Sequence, residues 1–138
     1  MPDDVLQNKC ETIERCIARI IEEYNGEASN LYKNLTRQDS ILLNLQRACE
    51  AAIGLAMHVV RIERLGIPQE SRDAFSLLVK GGELPAQVGE KMMKMVGFRN
   101  VAVHDYRDLN LDIVHKIITG HLEDFMAFTK WALTRRVE

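Results

Sequence analysis

Cysteine, proline and aromatic side chains are scarce in this 138-residue sequence, and each scarcity removes a class of protein. The three cysteines, Cys10, Cys16 and Cys49, are odd in number and have no CxxC spacing. Neither a disulfide framework nor a thiolate zinc site is expected from them. No apolar leader precedes them, which points to a reduced, cytoplasmic chain. No run of roughly 18 apolar residues occurs, so no membrane-spanning helix is expected. The formal net charge is only −2, too small for a long-range pull on a polyanion, and any nucleic-acid site must be local.

Several chemistries are missing as well. There is no GxxxxGK(S/T) loop, no GxGxxG turn and no GxSxG elbow, which removes the common nucleotide-binding and hydrolase signatures. Of His58, His104, His115 and His121, no two stand three or four residues apart as helical metal ligands would, so neither metal nor cofactor is expected. His115 with Asp112, and His121 with Asp124, have the spacing of ordinary helix-surface pairs. Met92, Met93 and Met95 read as core filler.

What is present is a composition of 46% hydrophobic and 28% charged residues, ordinary for a packed domain. The length suits one domain, residues 1–138, around one core. Apolar residues recur at three- and four-residue steps from Asp3 to Asn25, predicting a first helix stopped by Gly26. A weaker piece from Ala28 to Leu35 is left open. Thr36 and Asp39 have the spacing of a capping box before a long helix whose stripe runs from Ile41 to Val60, with many alanines that suit close packing. Ser71 is placed as the cap of a short helix ended by Gly81 and Gly82, and Pro85 at the start of the next. Asn110 is placed as the cap of one last helix carrying Val114 through Leu133. No strand-like alternation competes, and the fold expected is an all-α antiparallel bundle of four to five helices.

One stretch stands out, "GFRNVAVHDYRD", Gly97 to Asp108. It sets a fixed cation, a titratable ring and a phenol within eight residues: Arg99, His104 and Tyr106. Lys91, Lys94, Arg99 and Arg107 face only Asp105 between positions 91 and 107, so the stretch is locally positive. On an unbroken helix, at about 100° per residue, Arg99 and Tyr106 nearly coincide in direction while His104 points roughly 140° from Arg99. Convergence requires either a helix end near Val103 or a second copy of the chain across an interface. Gly97, costly within a helix, fits a close backbone approach there. The trio suits a phosphodiester: arginine grips phosphate oxygens and stabilises added charge, and histidine exchanges a proton with a ribose hydroxyl or leaving oxygen without a metal.

The run from Arg99 to Tyr106 resembles the Rx4HxY signature of the HepT toxins, a branch of the HEPN superfamily. "MVGFRNVAVHDY" is close to that family over twelve residues, and "DSILLNLQRACE", Asp39 to Glu50, is similar to its second-helix pattern. The resemblance implies an α-helical bundle that forms a homodimer and cleaves RNA without metal. It assigns phosphate binding to Arg99, acid/base work to His104, and supporting positions to Asn100, Asp39 and Glu50. It also implies an antitoxin partner, a minimal nucleotidyltransferase of the MNT type, that transfers AMP onto Tyr106. The competing expectation is a non-catalytic module that holds a nucleotide or such a partner through Arg99 and Tyr106.

Overall fold

The computed structural model describes residues 3–104 and 110–135, with backbone only for 101–104. Asp3 caps α1 (Asp4–Tyr24), its carboxylate accepting the Leu6 N–H at 3.1 Å. The helix ends where the backbone turns left-handed, at Asn25 (φ 48°) and Gly26 (φ 70°). The stop begins one residue before the glycine because asparagine tolerates that conformation. The open piece forms a single turn, α2 (Ser29–Tyr32).

Helix α3 (Leu35–Ile62) is the longest element, at 28 residues. Its cap is Asn34, whose side chain accepts the Arg37 N–H at 3.1 Å. The extended backbone at Asn34 and its short amide fill the cap position first, so Thr36 and Asp39 lie inside the helix and the Thr36–Asp39 capping box expected from sequence is not the one used. α1 and α3 are antiparallel. Arg37 Nη1 donates to the Glu23 carbonyl at 2.8 Å at one end, and His58 Nε2 lies 2.7 Å from Asp3 Oδ2 at the other. Between these ends α1 buries Leu6, Cys10, Ile13, Ile17 and Ile20, while α3 buries Ile41, Leu45, Ala48, Ala52, Leu55 and Val59. The small residues of α3 allow close approach as expected: a Cβ on Gly54 would sit 3.1 Å from Lys9 Cε, so the lysine stem of α1 rests on that glycine.

Helix α4 (Ser71–Lys80) is capped by Glu70 rather than Ser71, in a reciprocal box with Asp73, whose Oδ2 accepts the Glu70 N–H at 3.1 Å. It ends at Gly81 as expected. Helix α5 (Ala86–His104) begins just after Pro85. A Cβ on Gly89 would overlap Val79 Cγ2, so this glycine is what lets α5 lie against α4. Met92, Met95, Val96 and Phe98 form the buried side of α5.

Asn110 caps α6 (Leu111–Gly120), accepting the Asp112 N–H at 2.9 Å. The single last helix expected from the apolar stripe is two helices, because the chain breaks at His121 (φ −131°, ψ 2°) before α7 (Leu122–Arg135). Gly120 lowers helix propensity there, and Asp124 holds the His121 ring at 3.0 Å. Phe75, Phe125 and Phe128 fill the centre, with Phe75 edge-on to Phe128 at 5.4 Å and Trp131 stacked on Phe128 at 5.5 Å. The result is an all-α bundle. The described residues hold seven helices, more than the four to five expected, because the short turn forms and the last stretch divides. No helix among them is long and apolar enough to cross a membrane.

Candidate functional site

Arg99 and Asn100 stand near the C-terminal end of α5, where it passes the middle of α3. Arg99 Nε donates to Glu50 Oε1 at 2.5 Å, and Arg99 Nη1 donates to Asn100 Oδ1 at 3.0 Å. Three of the residues singled out from sequence therefore meet, two of them 49 positions apart. A guanidinium has five N–H donors. Two are committed to these anchors, and the other three have no partner among the described residues, on a side chain whose direction is set. The Glu50 carboxylate is the more exposed partner, 44% against 24% for Arg99, so the pair sits at the surface rather than in the core.

The backbone of α5 is helical as far as His104. That bound falls one residue past Val103, and residues 105–109 lie outside the described ones. The His104 side chain and the whole of Tyr106 lie outside the described residues. Among the described residues a Cβ at Gly97 would meet only Arg72 Nη2, at an ordinary 3.4 Å, so no close approach among them explains that glycine.

Asp39 does not join the arginine. It lies eleven residues before Glu50 on α3, about 16 Å along the axis. It lines instead an open groove of about 720 Å3 between α1 and α3, together with Arg15, Arg19 and Arg47. A neighbouring hollow shares Thr12, Leu43 and Arg47 with this groove and extends it to Glu50. The three arginines were not picked out from sequence. The available signal was the i,i+4 spacing of Arg15 and Arg19 on the polar side of α1, which flanks the buried Cys16.

The cysteines supply no nucleophile. Burial pushes the Cys16 thiol up, with Arg47 and Arg15 partly opposing it. Burial, reinforced by Glu50, pushes Cys49 up further, and its Sγ lies 3.8 Å from the Met95 carbonyl. Of the remaining histidines, His121 pairs with Asp124 as expected, and Lys91 approaches the same carboxylate at 3.7 Å. His115 does not pair with Asp112. Its Nε2 lies 3.0 Å from the Tyr24 hydroxyl, and Asp112 accepts the Tyr32 hydroxyl at 2.5 Å, because α6 packs against α1 and α2 instead of facing solvent on that side.

Comparison with known proteins places the chain in a family. Residues 13–131 match the family model described as ribonuclease HepT-like. The chain is 50% identical over 126 residues to the mRNA nuclease HepT of Shewanella oneidensis, covering 91% of this chain and 94% of that one. Among solved structures it is similar to the tri-AMPylated Shewanella oneidensis HEPN toxin in complex with its MNT antitoxin, with a TM-score of 0.90 and 47% identity over 96% of this chain and 99% of the other. A toxin–antitoxin complex with AMP-PNP matches with the same TM-score, identity and coverage. The Arg99 motif, the helix order and the matched length converge, and the chain belongs to the ribonuclease HepT-like family.

Proposed function

We propose that this chain is the toxin of a toxin–antitoxin pair, a metal-independent endoribonuclease that acts as a homodimer. The observation that carries the proposal is Arg99, aimed by Glu50 and Asn100 with three N–H donors that have no partner among the described residues, at the start of an Rx4HxY motif. In the reaction, a ribose 2′-oxygen attacks the adjacent phosphorus, the bond to the 5′-oxygen breaks, and Arg99 stabilises the charge that builds on the phosphoryl oxygens. His104 takes the 2′-hydroxyl proton or returns one to the leaving oxygen. In the homodimer, a second copy of the chain brings a histidine opposite each arginine. An MNT-type nucleotidyltransferase is the proposed antitoxin. The Tyr106 phenolate attacks the α-phosphorus of ATP, pyrophosphate leaves, and each AMP added places negative charge where the RNA phosphate would bind. The relatives' complexes with an MNT antitoxin support this partner.

The test is cleavage of RNA in excess EDTA. We expect products ending in a 2′,3′-cyclic phosphate. Arg99→Ala should lower kcat by about 100- to 1,000-fold and His104→Ala by at least about 100-fold. Folded Arg99→Ala and His104→Ala proteins that cleave at the parental rate would instead leave a binding module that holds a nucleotide or the antitoxin.

A further inference from the structure

The groove between α1 and α3 is not used by the chemistry at Arg99, yet it leads to it. Along α3 the lining steps by about one turn at a time, from Glu50 beside Arg99 to Arg47, Asn44 and Ser40. Across from these, α1 contributes Arg15 and Arg19. The run is about 16 Å long, room for a few nucleotides of extended single strand. Its cations outnumber its carboxylates, in a molecule whose net charge is −2. Arg15, Arg19 and Arg47 line one groove together with the Cys16 side chain, so the three cations share a single surface. Gathering like charges this way opposes folding, and a bound polyanion relieves the repulsion while releasing its counterions. Thr12 and Asn44, between the arginines, donate to the Asn8 and Ser40 carbonyls, so the guanidiniums are the groove's principal donors for phosphate oxygens.

We infer that the α1–α3 groove is a phosphate track that holds the substrate RNA strand leading into the Arg99 site, with Arg15 and Arg47 as its main contacts. This deepens the ribonuclease proposal and rests on it. Contacts of this kind read no base, so the track sets affinity and strand direction and leaves sequence choice elsewhere.

The experiment measures binding of a fluorescent single-stranded 2′-O-methyl RNA 12-mer, which presents phosphates but no 2′-hydroxyl nucleophile, to the full chain across a salt series. Arg15→Ala and Arg47→Ala should each weaken binding about fivefold at 0.1 M salt and reduce the slope of log K against log salt by about 0.7. Arg47→Lys should restore most of the affinity, and Lys130→Ala, exposed on α7, should change neither quantity. Thermal melts establish that each variant is folded. A parent that cleaves RNA but whose binding and salt slope ignore both arginine substitutions overturns the track alone. Variants that bind RNA normally but no longer assemble with the nucleotidyltransferase also overturn it, and make the groove a protein interface. A parent that neither binds nor cleaves any RNA defeats the ribonuclease proposal, and the track with it.

Discussion

At the scale of single residues, the ion pair between Arg99 and Glu50 fixes what each side chain is for. Glu50 on α3 has little packing role, being exposed, so Glu50→Gln should leave the fold intact. It should nevertheless slow RNA cleavage by about tenfold, because the charge-assisted bond that aims the guanidinium becomes a weaker neutral one. The double variant with Arg99→Ala should be no slower than Arg99→Ala alone, the signature of residues acting through one another. Equal and additive losses would break that link. Asp3 is a second residue with a definite electrostatic role. Burial raises its carboxyl, but the Leu6 N–H and the His58 ring outweigh this and hold it below its ordinary value of 3.8. A lowered folded value means stability that is present above the unfolded pKa and is lost as pH falls through the folded one. Asp3→Asn keeps a capping oxygen but no charge. Its melting temperature should fall below the parent's at neutral pH, and the gap should close as pH drops below 3.8. A gap that stays constant down to about pH 2 would remove the carboxylate from the account.

At the scale of helices, the interface of α4 and α5 depends on one missing methyl. Gly89→Ala drives a Cβ into Val79 and should cost about 1–3 kcal/mol, read from denaturant melts. Val79→Ala should recover part of that loss in the double variant, a coupling that a pure helix-propensity effect at Gly89 would not produce. The elements also mark where sequence reading works and where it fails. Periodicity found α1, α3, α4 and α5 because each buries a regular stripe against a neighbour. It missed the division of α6 from α7, since the apolar spacing runs across Gly120 and His121 without interruption while the axis turns. It placed the cap of α4 on Ser71 because serine is the commoner capping residue, whereas the reciprocal bonds of Glu70 and Asp73 won. Partners far apart in sequence, such as Tyr24 with His115, leave no trace in local spacing. Glu50 beside Arg99 was legible only through family resemblance, and the α1 arginines were not legible because an exposed polar face has no pattern to violate.

For the molecule as a whole, the proposed homodimer is the largest consequence. Gly97 lies inside α5 with room for a methyl among the described residues, so in the single chain Gly97→Ala should add up to about 1 kcal/mol of helix stability. If a second copy packs over this part of α5, the same substitution should raise the dimer dissociation constant, measured by analytical ultracentrifugation, even as the folded chain becomes harder to melt. Stabilisation with unchanged dimer affinity would place the second copy elsewhere. The aromatic centre sets a scale for comparison: Phe128→Ala, fully buried against Phe75 and Trp131, should cost about 3–5 kcal/mol and unfold much of the population on warming. The three cysteines, each at most 6% exposed, carry a different consequence. Thiol reagents find little to react with in the native protein, so a single cysteine introduced at the surface becomes an addressable handle without first removing the others. Labels placed in this way on α5 or α7 would report distances between copies, and between toxin and antitoxin, in the unaltered background of the natural chain.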